Sequence, residues 1–404
     1  MSRINNYFTV QKILIFCILL SPVLSHAGKW SGNFSLQSRN FLHEPETLNS
    51  NQHNNYFSAA IEPEFYHNWD EEQQSITFTP FYRFDQHDEE RSHGDIRELV
   101  WLRMFESWEL KLGISKVFWG VTESQHLVDV INQTDFVENI DGEDKLGQPM
   151  IKASFERDWG VMDIFILPGF RERTFTGIQG RPRSNAIIPA NTAEYESADK
   201  DRHIDYAARW FTTQGDWDIG LSYFKGTSRD PIFLPALIIT LPPTLIAYYP
   251  QMQQAGLDIQ ATTEDWLWKL ELISRQWMSD HFYAATAGLE YTFVGIFETD
   301  ADLGIVAEYL YDDRNRYLTT FFENDFMLGL RIALNDEQSS EALLGFIIDK
   351  DTHETLISIE ASRRIGNNWK IELEARLFQH INKAGLLNAF EKDDFLQLNL
   401  SYYF

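Results

Sequence analysis

Residues Phe395–Phe404, FLQLNLSYYF, alternate strictly. Leu396, Leu398, Leu400, Tyr402 and Phe404 fall on one side of an extended chain, and Gln397, Asn399, Ser401 and Tyr403 on the other. A period of two is that of a β-strand with one apolar and one polar face. The apolar face can pack on a soluble core or meet lipid. The polar face can meet bulk water or a water-filled lumen.

The same period runs back through the chain. Trp266, Trp268, Leu270 and Leu272 alternate with Leu267, Lys269 and Glu271; Ile371, Leu373, Ala375 and Leu377 alternate with Lys370, Glu372, Glu374 and Arg376. Ile76, Phe78, Tyr82 and Phe84 alternate with Thr77, Thr79 and Arg83, and Leu289, Tyr291 and Phe293 with Gly288, Glu290 and Thr292. Strands are expected at 29–41, 55–68, 74–85, 95–105, 108–119, 149–157, 160–168, 203–213, 216–226, 255–263, 266–277, 282–294, 302–312, 325–334, 341–349, 355–364, 369–378 and 395–404. That is about eighteen, the even number usual for a single-chain transmembrane barrel. At 95–105 two phases compete: Arg97, Leu99, Trp101 and Arg103 against Glu98, Val100 and Leu102.

The connections carry their own pattern. With the first strand starting in the periplasm, the inner connections 70–73, 106–107, 158–159, 214–215, 264–265, 295–301, 335–340 and 366–368 are short. The outer ones, 42–54, 86–94, 120–148, 169–202, 227–254, 313–324 and 379–394, are mostly long, with short exceptions near 279–280 and 350–353. Short periplasmic turns and long external loops are the asymmetry of a membrane barrel. The expected fold is therefore all-β: a closed antiparallel transmembrane β-barrel of about eighteen strands, in one domain over 28–404.

Residues 1–27 read as a signal peptide. Arg3 and Lys12 give a positive start, Ile13–Leu20 an apolar run, and Ser25-His26-Ala27 a cleavage site after Ala27. The one cysteine, Cys17, lies inside this segment, so the mature chain is expected to carry neither disulfide nor thiolate chemistry. The net charge is −26, and loss of Arg3 and Lys12 takes it to about −28. That balance argues against a nucleic-acid partner, because phosphate binding needs a basic surface. The 14% aromatic content fits a barrel with aromatic girdles better than a helical membrane bundle.

The ending of the chain resembles the C-terminal signature strand of Gram-negative outer-membrane β-barrels. The resemblance implies that Phe404 acts as the assembly signal read by the barrel assembly machinery. The loop after the fifth strand, Lys116–Pro149, resembles that of 18-stranded porins of the alginate-export type. There a Trp-Gly pair leads into a D-x-x-N-x-x-D-like run, here Trp119, Gly120, Asp129, Asn132 and Asp135. The resemblance implies a loop folded into the barrel and narrowing it. The alginate exporters line their pore with bases for a polyanion. This loop instead carries Glu123, Asp129, Asp135, Glu138, Asp141, Glu143 and Asp144, so an alginate-like substrate is not expected. Leu127, Val128, Val130 and Ile131 have helical spacing, with Thr122 or Ser124 as the cap, so a short helix is expected there.

If the alternation holds, Arg39, Glu62, Glu64, Arg83, Lys111, Lys152, Glu156, Arg209, Lys269, Glu271, Arg275, Glu290, Glu308, Arg331, Glu360, Lys370, Glu372, Glu374 and Arg376 line the pore. A Lys or Arg facing lipid at mid-membrane costs about 2–4 kcal/mol, so these must face water or one another. They act either as a transverse field on a solute or as structural ion pairs. Pro231–Pro250 holds no charge; broken by Pro235, Pro242 and Pro243, it is read as an apolar external loop tucked into the mouth, a neighbouring subunit or the membrane. Arg171, Arg173, Arg181 and Arg183 form a basic cluster suited to an anionic solute or lipopolysaccharide phosphate, or to pairing with the acidic loops.

Ser124, His126 and Asp129 are close in sequence, but a triad is a spatial arrangement and their spacing has no special meaning. The histidines show no metal spacing. No cofactor, metal or enzymatic site is expected. The expected function is a porin-like channel for diffusion of small polar or charged solutes across the outer membrane of a Gram-negative bacterium, with a mild cation preference. Its expected partners are outer-membrane lipid and lipopolysaccharide, the assembly machinery and a small solute. An outer-membrane enzyme on the barrel rim, a closed structural or adhesion barrel, and a soluble secreted β-sandwich are the competing readings.

Overall fold

The computed structural model describes residues 28–45, 51–237, 240, 242–314, 320–383 and 385–404. The leader 1–27 and its cleavage site lie outside them. The strands are β1 (Lys29–Phe41), β2 (Asn55–Trp69), β3 (Gln74–Asp85), β4 (Gly94–Met104), β5 (Trp108–Ser115), β6 (Gln148–Arg157), β7 (Gly160–Pro168), β8 (Glu194–Tyr195), β9 (Ile204–Gln214) and β10 (Trp217–Thr227). They continue with β11 (Ile232–Pro235), β12 (Leu245–Tyr249), β13 (Gln251–Thr263), β14 (Trp266–Trp277), β15 (Asp280–Phe293), β16 (Asp302–Asp312) and β17 (Asn324–Ala333). The last four are β18 (Glu341–Asp349), β19 (Thr355–Ile365), β20 (Trp369–Gln379) and β21 (Phe395–Tyr403).

Eighteen of these form one sheet in which each strand pairs antiparallel with the next in the chain, and β21 returns to pair with β1. A sheet closed on itself has no free edge. At the seam Asn33 faces Tyr403 and Phe41 faces Phe395. Gly32 and Phe404 exchange backbone hydrogen bonds of 3.2 and 3.1 Å. Gly32 sits at φ 149°, and a Cβ there would lie 2.5 Å from Glu62 O, so this crowded end of β1 admits only glycine.

Alternation decides which side of the sheet each residue occupies. Along β14, Trp266, Trp268 and Leu272 are exposed while Lys269, Glu271, Ile273, Arg275 and Trp277 are buried. Along β21 and the Phe404 that follows it, Leu396, Leu398, Tyr402 and Phe404 are exposed, whereas Phe395, Gln397 and Ser401 are buried. Exposed aromatics gather near both ends of the strands. Trp30, Trp69, Trp159, Trp217, Trp266 and Trp369 stand at the end with short turns; Phe57, Tyr82, Phe84, Tyr206, Tyr223, Tyr283 and Tyr311 stand near the other. Two aromatic girdles flanking an apolar band are the outer surface of a membrane barrel. Among the described residues no helix is long and apolar enough to cross a membrane.

The competing phases at 95–105 have a physical cause. Thr79 pairs with Glu98 but Pro80 pairs with Ile96, so Arg97 is the extra residue of a bulge. Arg97 and Val100 are both buried while Leu99 is exposed. The fifth strand ends at Ser115, not 119.

The long connections do not stand free. Within 169–203 and 228–250, β8, β11 and β12 make a small separate sheet. Phe170, Ala247 and Tyr249 form its buried cluster with Phe175, Ile188, Tyr195 and Phe233 against them. The described part of the apolar loop 231–250 thus packs on the 169–203 connection of the same chain, a contact not among the three placements expected for it.

Candidate functional site

Residues 116–147 are held by carboxylates from distant strands. On β14, Glu271, with no solvent exposure, accepts from Val121 N (2.7 Å), Thr122 N (3.1 Å), Thr122 Oγ1 (2.8 Å) and Val128 N (3.2 Å). On β16, Glu308 accepts from Glu123 N (2.7 Å), Ser124 N (2.9 Å) and Ser124 Oγ (2.6 Å). The expected helix at 127–131 does not form: the segment is turns and irregular backbone, Val128 N donates to Glu271, and Thr122 Oγ1 is committed to Glu271 and Gln125 O. Leu127, Val128, Val130 and Ile131 still bury their side chains, against Met150, Phe165, Phe224 and Ile273.

Further along the same segment, the guanidinium of Arg83 on β3 pairs with Glu138 at 2.7 Å, and Arg97 on β4 with Asp135 at 2.6 Å. Arg39 on β1 donates to Glu138 O at 3.2 Å and to Gln397 on β21 at 2.6 Å. Asn139 reaches Glu374 and Asp141 reaches Arg376, both on β20. Arg331 on β17 pairs with Glu123 at 2.7 Å. His126 Nε2 lies 3.1 Å from Glu143, and its Nδ1 3.9 Å from Glu271. Burial opposes the imidazolium, but the hydrogen bond to Glu143 and the two carboxylate charges outweigh it and raise His126 to about 10. Burial likewise opposes the charge on Glu143, and His126 outweighs it and holds the carboxyl below its ordinary value.

Nearer the long-loop end, Asp230 faces three guanidiniums: Arg275 at 2.8 Å, Arg173 at 3.0 Å and Arg314 at 3.4 Å. Desolvation would raise its carboxyl, and these three charges together push it far below the ordinary range. Arg229 pairs with Asp205 at 2.6 Å and donates to Ile131 O.

Beside this segment lie adjoining cavities. One, of about 440 Å³, is lined by Glu123, Asp141, Glu143, Glu341, Glu360, Glu372 and Glu374 against Arg331, Lys370 and Arg376: seven carboxylates to three bases. A second, of about 400 Å³, shares Glu123, Asp141, Glu143, Glu360 and Arg376 with the first. Asp141 keeps contact with solvent, yet the surrounding protein desolvates its carboxyl and lifts it to about 6; Arg376 opposes the rise and Glu374 adds to it.

Solved structures resemble this architecture, and two are instructive. One is a BenF-like porin from Pseudomonas fluorescens, at TM-score 0.52 and 10% identity, with 93% of this chain and 97% of that chain covered. The fold is that of a porin. The second is Wzi, an outer membrane protein involved in group 1 capsule assembly in Escherichia coli and a carbohydrate-binding β-barrel, at TM-score 0.52 and 9% identity, covering 92% and 84% of the two chains. No family model and no curated protein matches the chain.

In this porin fold the residues singled out from sequence fall into distinct settings. Arg39, Arg83, Lys269, Glu271, Arg275, Glu308 and Arg376 are buried on the charged side of the sheet. Lys152 pairs with Asp163, Arg209 with Asp258, and Glu290 with Arg331. Glu360, Glu372 and Glu374 meet at the larger cavity. Glu62, Glu64 and Lys111 are half-buried on β2 and β5, away from these networks. Asp129 pairs with Lys145, and Asn132 ties Val117 N, Ser115 O and Leu146 O together, so these two staple the loop to itself.

The four arginines of the basic cluster are engaged within the chain. Arg171 holds Asp95, Arg173 holds Asp230, and Arg181 holds Asp393. Arg183 donates its backbone N–H to Asp393 and its guanidinium to Ser184 O and Ala186 O. Of the two roles open to them, internal pairing accounts for these contacts. Ser124, His126 and Asp129 serve Glu308, Glu143 and Lys145 respectively, so they do not form a triad. Asp258, not among the residues expected from sequence, carries a signal there all the same: Gln254, Gly256, Asp258 and Gln260 alternate with Ala255, Leu257 and Ile259. Asp230 and Asp393 carry no local signal, because their partners lie far away in sequence.

Proposed function

We propose that this chain is a porin-like channel in the outer membrane of a Gram-negative bacterium, through which small polar or charged solutes diffuse. Residues 116–147 fold into the barrel and narrow it. The observation that carries this reading is the circle of contacts around one loop: β1, β3, β4, β14, β16, β17 and β20 all hold it. A segment on the outside of a closed cylinder does not reach strands on every side of it. The space left beside the loop is the two adjoining cavities, and of the charged residues named from sequence Arg331, Glu360, Lys370, Glu372, Glu374 and Arg376 line them.

The excess of carboxylates at the larger cavity favours cations. Residues 1–27 direct the chain to export, and the outward Phe404 at the seam serves the assembly machinery. Outer-membrane lipid and lipopolysaccharide surround the girdles. Conductance in planar bilayers, with reversal potentials in a salt gradient, tests the reading. A mild cation preference is expected, and a clear anion preference removes the selectivity claim.

One observation favours a closed barrel as the second reading. The 169–203 connection contacts the far side: Gln179 O accepts from Tyr56 at 2.5 Å, Gly180 O from Gln52 at 2.6 Å, and Arg181 reaches Asp393 at 2.7 Å. A folded barrel that passes no current in bilayers decides for that reading.

A further inference from the structure

The second cavity is unlike the first. Met327, Leu343, Ile347, Leu356 and Phe378 line it from four consecutive strands, β17 to β20, and Phe390 closes it from the loop before β21. Inward positions of a channel that carries only hydrated ions are polar. Here an apolar wall stands next to the most acidic part of the interior. The volume, about 400 Å³, is that of a pocket for a small organic molecule. Packing explains part of the wall: Met327 and Ile347 belong to one buried cluster, Leu356, Phe378 and Phe390 to another. The cavity is the space between the two clusters.

At the boundary of the two cavities stand Glu143 and Glu360, whose side chains are 57% and 51% exposed. Arg376 at the same boundary is nearly inaccessible and is already surrounded by Asp141, Glu360 and Glu374 at 3.2, 2.7 and 3.3 Å. Glu143 is paired with His126 and Glu360 with Arg376, but both bases are largely covered while the two carboxylates are open, so the charge a solute touches at the junction is negative, and the surface beside it is apolar and aromatic.

We propose that the passage selects a small organic cation with an apolar body: an ammonium group held by Glu143 and Glu360, with its hydrocarbon or aromatic part against the accessible lining residues Phe321, Leu343, Ile347 and Leu356. This rests on the channel reading and names its solute class. A simple cation finds the carboxylates but not the wall. An aromatic carboxylate finds the wall but is repelled at the junction. Burying a phenyl group in an apolar pocket is worth at least about tenfold in affinity.

The test uses the full-length protein in planar bilayers in potassium chloride, with phenethylammonium, ethylammonium and phenylacetate added in turn. Phenethylammonium is expected to interrupt the current at least about tenfold more strongly than either of the others. Glu143→Gln with Glu360→Gln is expected to abolish that advantage over phenylacetate, and Phe321→Ser with Leu356→Ser the advantage over ethylammonium. Equal block by ethylammonium shows that charge alone is read, and overturns the proposal. Equal or stronger block by phenylacetate overturns it too, as does an open pore indifferent to all three probes. Equilibrium dialysis against the folded protein in detergent separates this inference from the channel reading. Preferential binding of phenethylammonium to a non-conducting barrel upholds the site and sinks the channel; no binding preference to a conducting barrel does the reverse.

Discussion

Replacing Glu271 by alanine should loosen the loop and leave the barrel intact. Four donors rest on this one carboxylate: three on Oε1, from Val121 N, Thr122 N and Thr122 Oγ1, and one on Oε2, from Val128 N. A net hydrogen bond is worth about 0.5–1.5 kcal/mol, so four lost together come to about 4 kcal/mol. That is about three decades in the balance between docked and released loop. The docked loop keeps its three bonds to Glu308 and the pair between Glu123 and Arg331, so release is partial and intermittent. In bilayers the Glu271→Ala channel should show a larger mean conductance and frequent steps between two levels. Glu271→Gln retains an acceptor oxygen and should fall between. The control is a barrel that still migrates as a folded band before heating. If Glu271→Ala folds and its conductance and noise match the parent, residues 116–147 do not set the width of the passage.

Other consequences can be measured on the same preparation. Asp141, raised to about 6, is charged at pH about 8 and largely neutral at pH about 5, so the cation preference should shrink across that interval; a selectivity flat with pH excludes Asp141 from the conducting path. His126, raised to about 10 from 6.5, contributes loop attachment that is complete below pH about 6.5 and fades as pH climbs through about 10. Current noise should therefore rise on alkalinisation, and His126→Phe should remove that rise. Arg181→Met strands the carboxylate of Asp393 in a buried site at a cost of about 3–5 kcal/mol, and Arg181→Met with Asp393→Asn should recover most of it. Protease sensitivity of the 169–203 connection reports the difference, and equal sensitivity of the single and double variants speaks against the pair. Removing Phe404 deletes the two backbone bonds to Gly32 at the seam and should lower the yield of folded barrel in the membrane; an unchanged yield contradicts its role in assembly.

The barrel was legible because one face of each strand meets an apolar exterior, which forces a period of two on the residues themselves. The boundaries of β1, β3, β7, β14, β16, β18 and β21 agree with that alternation to within a residue. The phase at 95–105 was unreadable for a local reason, the bulge at Arg97. The backbone of 127–131 departs from its helical spacing for a distant one. The spacing of Leu127, Val128, Val130 and Ile131 announces burial correctly but does not say what receives the backbone N–H groups, and the acceptor Glu271 stands about 150 residues away in the chain. The same distance hides the partners of Arg173 and Arg181. Their cluster looks like an anion site in one dimension because Asp230 and Asp393 arrive only through the fold.

The acidity of the chain does not act as one field. Glu271, Glu308, Asp135, Asp230 and Asp393 are satisfied by backbone N–H groups or guanidiniums, so their charges are spent on holding loops. A passing ion meets them only as neutralised pairs. Glu143, Glu360 and Glu372 are paired too, with His126, Arg376 and Lys370, but their carboxylates stay open to solvent in a cavity where acids outnumber bases, so theirs is the charge a solute can reach. The two groups therefore govern different observables. Neutralising Glu271 alters how wide the proposed passage is and should change conductance with little effect on reversal potential. Neutralising Glu360 with Glu372 alters what the passage prefers and should move the reversal potential with little effect on loop noise.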